Sequence, residues 1–257
     1  MELVFIASAA LLAAILTFFS GFGLGTILTP VFMIFFPTDL AIALTGVVHF
    51  FNNIFKLSLV GKNANRPVVL RFGIPAVIMS LLGAWLMLQM VDLPMIHSYQ
   101  FNGKEFTISP IKLTIAVLLI FFALMDLVPG LKKIQFGRDK LVLGGVLSGF
   151  FGGLSGNQGA LRSAFLVKAG LSKEAFIGTA VVVSILVDFS RLGVYATKFS
   201  RSGLVDNIQV VLVATLSAFL GAYIGNKLLK KLTLHFIQVT VAVMLLILSI
   251  LLGAGLL

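Results

Sequence analysis

Five stretches of this 257-residue chain carry no charged side chain: 3–38, 72–91, 141–161, 207–226 and 232–257. Each is at least 20 residues long, and roughly 20 apolar residues cross the hydrocarbon core of a bilayer as a helix. The first run is too long for one span, because thirty-six helical residues would extend about 54 Å against a core of about 30 Å. Its middle reads Ser20-Gly21-Phe22-Gly23-Leu24-Gly25, with Pro30 and Pro37 beyond. Glycine at that density loosens a helix and allows a turn or a close backbone approach. The expected elements are therefore two arms, 3–19 and 26–36, of a hairpin or broken helix. A similar break recurs at Gly152-Gly153-Leu154-Ser155-Gly156-Asn157-Gln158-Gly159.

Two breaks in corresponding places point to a duplication. Shifted by 134 residues, Gly25 falls on Gly159, Ala41 on Ala175, Thr45 on Thr179 and Val47-Val48 on Val181-Val182. Thr38 and Ser172 also coincide, each placed to cap the helix that follows. After a four-residue insertion, Gly83-Ala84-Trp85 matches Gly221-Ala222-Tyr223. If each broken segment returns to the side it entered from, twelve Lys and Arg of the loops lie on one face and four on the other. Counting each broken segment as one crossing splits the same sixteen nine against seven. Cytoplasmic loops collect Lys and Arg, so the asymmetric arrangement is preferred. The fold expected is an all-α polytopic membrane protein of two inverted repeats, each a Gly-broken helical hairpin plus about three full spans. Residues 1–131 form the first repeat, 132–140 a basic cytoplasmic connector and 141–257 the second repeat, with both termini outside.

Composition agrees. Hydrophobic residues make up 59% of the chain, charged residues 11%, and the mean hydropathy is +1.12; a soluble globule needs about 25% charged residues to wet its surface. The alternating ten-residue segments of an outer-membrane barrel are absent. The net charge of +10 is explained by membrane topology rather than nucleic acid. With no cysteine, a disulfide framework or thiolate metal site is excluded. Met1-Glu2-Leu3 lacks the basic start of a cleavable signal peptide.

Three basic residues fall inside embedded segments: Lys56, Arg162 and Arg191. Buried charge in a membrane is costly, so such residues usually face a cavity or a partner. Arg162 lies three residues past Gly159, at the start of an arm whose free N–H groups suit an oxyanion that a guanidinium can bind bidentately. The alternative is an Arg that snorkels or pairs with backbone carbonyls. Two helices carry polar stripes: His49, Asn52, Asn53 and Lys56 on one, Ser184, Asp188, Arg191 and Tyr195 on the other, each at helical spacing on one face. Asp188 and Arg191 can pair across one turn. The stripes read either as packing seams or as a polar pathway in which Asp188 or His49 carries a coupling proton. Ser155, Asn157 and Gln158 could bond a substrate or merely satisfy the broken backbone. Asp126, His97 and His235 read as end or loop residues, and 92–112 as an external loop.

Gly153-Leu154-Ser155-Gly156 fits the GxSG pattern of rhomboid-type intramembrane proteases. Such chemistry needs a His base within reach of the Ser; His235 follows a basic segment at the membrane surface, so an enzyme is not expected. Three scattered His do not form a metal site, and no cofactor is expected. No GxxxxGK[ST] loop for ATP is present.

The two Gly-rich motifs, Ser20 to Gly25 followed by Pro30 and Gly152 to Gly159, together with Thr45 and Thr179 in register, resemble the TauE/SafE family of bacterial membrane transporters. The resemblance extends over essentially the whole chain. It implies export of sulfite, thiosulfate or organosulfonates across the cytoplasmic membrane, with the two tips near the substrate. Gly21, Gly23, Gly25, Ser155, Gly156, Asn157, Gln158, Gly159, Arg162, Arg191 and Lys56 are then the substrate-binding candidates, and His49, Asn52, Asn53 and Asp188 the pathway. Members often carry four plain glycines in the second motif, which Asn157, Gln158 and Arg162 make more polar here. Independently, broken helices in inverted repeats are a recurring plan of secondary transporters, and an excess of embedded cations favours an anionic substrate. A passive anion channel and a non-transporting assembly factor are the alternatives. The expected partners are the small anion, the bilayer and, as an open possibility, a second copy in a homodimer.

Overall fold

A computed structural model describes residues 1–20, 23–128, 130, 136–156, 158–199, 206–228 and 234–257. Among them are ten α-helices and one two-stranded sheet. The first half contains α1 (Glu2–Ser20), α2 (Leu24–Met33), α3 (Thr38–Val60), α4 (Arg66–Val91) and α5 (Pro110–Leu127). The second half repeats that order with α6 (Leu141–Ser155), α7 (Gly159–Leu166), α8 (Lys173–Phe199), α9 (Ile208–Leu228) and α10 (Leu234–Gly253). Four segments, Thr38–Asn63, Arg66–Val91, Lys173–Thr197 and Ile208–Leu228, are long and apolar enough to cross a membrane. On α9, Ile208, Leu212, Leu216 and Leu220 form an exposed stripe at i, i+4 spacing, an outer face fit for lipid rather than water.

Each Gly-rich segment is a hairpin. Phe5 near the start of α1 stacks edge-on against Phe35 beyond the end of α2, ring centroids 5.7 Å apart, so α1 and α2 run in opposite directions. In the second half the Ser148 hydroxyl donates to the Gln158 carbonyl at 3.2 Å, and Gly144 packs on Phe165. The second break is narrower than the sequence reading drew it, since α6 continues to Ser155. All ten residues of α2 are buried.

The halves clasp each other through their first and fourth helices. On α6, Gly145, Gly149 and Gly153 lie over the Phe72, Ala76 and Ser80 carbonyls of α4. That regular advance means that the two helices run in the same direction, with backbones so close that a Cβ at Gly149 would enter the Ala76 peptide. Small residues permit such contact between membrane helices. On the other side Gly221 lies over the Leu11 carbonyl and Gly225 beside Phe18, so α9 runs with α1. The third helices cross in opposite directions, Gly46 beside Leu192 and Gly178 beside the Val60 carbonyl.

Two local expectations are corrected. Ser172 accepts from the Ala175 N–H at 3.2 Å and caps α8. Thr38, its counterpart, is instead the first residue of α3; Pro37 holds the cap position and no side chain caps it. The segment read as an external loop contains a β-hairpin, β1 (His97–Phe101) and β2 (Lys104–Ile108). Its turn is Asn102-Gly103, both at positive φ (51° and 74°), the sequence that a two-residue hairpin turn favours. The Tyr99 hydroxyl donates to the Ala254 carbonyl at 2.7 Å, tying the hairpin to the end of α10.

Candidate functional site

The polar stripes of α3 and α8 face each other at the crossing of those helices. His49 Nδ1 lies 2.6 Å from Asp188 Oδ2, and Asn53 Nδ2 donates to the same oxygen at 3.0 Å. Arg191 Nε donates to Oδ1 at 3.0 Å, with Nη2 also 3.0 Å from it. Asp188 is 0% exposed, so these partners replace water entirely. A carboxylate there persists only because both oxygens are engaged. An ionised carboxylate only accepts, so Nδ1 of His49 must be the donor and Nε2 of the neutral ring is left with its lone pair. One turn further along α8 the Tyr195 hydroxyl donates to the Gly153 carbonyl at 2.6 Å.

Both broken tips touch this cluster. Gly23 sits against His49 Nε2, close enough that a Cβ would approach it to 2.9 Å. Gly156 has a left-handed backbone, φ +78°, and the Arg191 guanidinium lies on it; a Cβ would come within 2.7 Å of Nη1. Glycine is therefore required twice over, by conformation and by space. Gly25 faces the Gly156 carbonyl, so the tips also meet each other.

Beside the cluster is a cavity of about 40 Å³. Its polar wall is His49, Asn53, Lys56, Arg162 and Ser184; Phe18, Phe176, Ile177, Ala180 and Val181 line the rest, with Thr17 and Gly23. Arg162 Nη1 donates to the Ser184 hydroxyl at 2.5 Å, while its Nε is buried without a hydrogen-bond partner. Lys56 Nζ stands 5.2 Å from the centre of the Phe18 ring, a cation–π contact that supplies only part of the lost hydration. Among the described residues neither cation has a carboxylate at ion-pair distance. Two buried positive charges thus share one small cavity with no carboxylate in contact among the described residues.

The other candidates fall around this centre. Gly21 and Asn157 lie outside the described residues. Gly159 opens α7, and Ser155 donates to its own helix at the Phe151 carbonyl, 3.1 Å away. Gln158 and Asn52 are fully buried, and their side-chain amides have no partner; neither lines the cavity. Arg191 is likewise away from the cavity, committed to Asp188 and the second tip. The side chains of Asp126 and His235, and part of the 132–140 connector, are also outside the described residues. Sequence reasoning missed the apolar wall; Phe18 could have been found from its position just ahead of the first break, whereas Phe176 and Ile177 carry no local signal.

The sequence matches the family described as sulfite exporter TauE/SafE over residues 6–252. No curated protein matches it in sequence. A match over nearly the whole chain, joined to helices long and apolar enough to cross a membrane and two Gly-broken hairpins meeting at a buried charged centre, identifies a multi-pass membrane protein that belongs to the TauE/SafE family of sulfur-anion transporters.

Proposed function

We propose that the chain is a secondary exporter of small sulfur anions, with sulfite, thiosulfate and organosulfonates as the candidate substrates, in the bacterial cytoplasmic membrane. The carrying observation is the pair of buried cations, Lys56 and Arg162, with no carboxylate at ion-pair distance among the described residues, in one cavity that Gly23 of the first broken tip also lines. An oxyanion there would offset buried positive charge and give the guanidinium a further acceptor for Nε. The apolar wall of Phe18, Phe176, Ile177, Ala180 and Val181 would offer a non-polar surface to a short organic group. Gly23 and Gly25 of the first tip and Gly156 and Gly159 of the second would shape the approach, and His49 and Asn53 complete the polar wall. Asp188 and Arg191 hold that wall in place.

We read residues 1–131 and 141–257 as inverted repeats joined by the 132–140 connector. Helix directions support this: α1 opposes α2, α9 runs with α1, α6 runs with α4, and α3 opposes α8. With helices alternating across the short turns between α2, α3 and α4, these directions support corresponding helices of the two halves pointing opposite ways. The twelve-to-four distribution of basic residues in this arrangement supports a topology with both termini outside.

Counterflow in proteoliposomes tests the function. Vesicles are preloaded with unlabelled sulfite, thiosulfate or a short sulfonate, and labelled anion uptake is followed for the wild type, Arg162→Ala and Lys56→Met. Saturable uptake that both substitutions abolish in well-folded protein is expected. Uptake that rises linearly with anion concentration would favour a channel. No uptake of any sulfur anion by folded, correctly inserted protein would overturn the proposal and leave an assembly role.

A further inference from the structure

Besides the two unpaired cations, the cavity is lined by one more group that can change its charge, and it is held in a single orientation. His49 lines the cavity, whereas Asp188 does not. Both oxygens of Asp188 are already occupied, Oδ2 by His49 and Asn53, Oδ1 by Arg191. A proton arriving through the cavity therefore meets imidazole first. Nδ1 is committed as donor to Asp188, so the site that can accept the proton is Nε2, the atom that faces Gly23 of the first tip.

Every element packed around the ring bears on that step. From α3 come Asn53 and Lys56, from α8 Ser184, Asp188 and Arg191, from α7 Arg162, from the cap position ahead of α2 Gly23, and from α1 Thr17 and Phe18. With Asp188 balanced by Arg191, an imidazolium would join two uncompensated positive charges. It is opposed unless an anion occupies the cavity at the same time. Conversely, an anion finds three positive charges there instead of two when His49 is protonated. Two ligands that each favour the state the other makes bind with positive, reciprocal coupling.

We infer that the anion and one proton bind together, the proton on His49 Nε2, and that they leave together. This rests on the cavity's being the anion site, as proposed above. The proton moves from solvent water to Nε2 without any redox or covalent change to the substrate. A monoanion accompanied by a proton carries no net charge across the membrane, so its exchange is insensitive to membrane potential. The arrangement is co-transport, not exchange of an outgoing anion for an incoming proton.

The test uses methanesulfonate, whose own charge stays constant where sulfite's changes. Its affinity for the purified full chain is measured by calorimetry at about pH 5.5 and about pH 8.5, on either side of the ordinary histidine range. Each titration is repeated in two buffers of different ionisation enthalpy to count protons taken up per anion. Expected for wild type are an affinity at least about fivefold higher at the lower pH and net proton uptake on binding. Lys56→Arg, which keeps a fixed charge beside the ring, retains both effects. His49→Gln, which can still bond Asp188, loses both and binds with one affinity at the two pH values. Binding without pH dependence in wild type, or pH dependence that survives His49→Gln, overturns the inference and leaves the anion site standing. Loss of proton uptake in Lys56→Arg overturns it too, by assigning the proton to the lysine; this arm still decides the matter if His49→Gln does not fold. Absence of binding at both pH values overturns the anion site and this inference together.

Discussion

Asp188→Asn tests the idea that one carboxylate joins the two halves at the site. The substitution is nearly isosteric. Asn can still accept from Arg191 Nε, and a flipped tautomer of His49 can accept from its amide, so the hydrogen bonds at 2.6 Å and 3.0 Å are replaceable. What is lost is charge. At contact distance and an effective dielectric of about 20, a pair of unit charges interacts by about 4 kcal/mol. A buried guanidinium left without its partner costs about 3–5 kcal/mol. For a chain of this size that corresponds to a fall in Tm on the order of 10 °C. Thermal unfolding of detergent-purified protein, followed by intrinsic fluorescence, reads it. The double substitution Asp188→Asn/Arg191→Met removes both charges and should recover part of the loss, because the two sites are coupled. A Tm for Asp188→Asn within about 2 °C of wild type, on the same scale, would refute the reasoning. So would a double variant whose loss equals the sum of the single ones.

Other predictions follow from particular contacts. Gly149→Ala drives a Cβ into the Ala76 peptide and should destabilise by about 1–3 kcal/mol or more. Gly193→Ala meets nothing within 4 Å and should leave stability unchanged or raise it by about 0.5–1 kcal/mol; paired thermal unfolding separates the two. Lys56→Met removes a buried charge that has no ion-pair partner, so it should raise Tm while weakening methanesulfonate binding about tenfold or more, read by calorimetry. Tyr99→Phe loses the bond to Ala254, worth about 0.5–1.5 kcal/mol. Faster amide exchange across His97–Ile108 should report it, with counterflow unchanged.

Much of this architecture is legible from local chemistry. Uncharged runs locate the helices because hydrocarbon excludes charge. Glycine density locates both breaks because a tip needs backbone freedom, as Gly156 demonstrates at φ +78°. The stripes on α3 and α8 are visible because helical spacing is fixed by the backbone itself. The β-hairpin at His97–Ile108 was also present in the sequence, in the Asn102-Gly103 turn and its alternating flanks, but it is overshadowed by the apolar runs on either side. The cap at Thr38 failed for a local reason: Pro37 precedes it and takes the cap position.

What the sequence by itself determined, then, is a membrane-embedded chain with two Gly-rich breaks and a short supply of buried charges. Which of those charges meet across the two halves was decided only by the tertiary structure. Arg191 pairs with Asp188 one turn away on its own helix, as the i, i+3 spacing already allows. The crossing of α3 over α8 adds His49 and Asn53 to that carboxylate, and the fold brings Lys56 and Arg162 to one cavity with no carboxylate at ion-pair distance among the described residues. Those meetings join residues more than a hundred positions apart, and only the packing of the two halves brings them together.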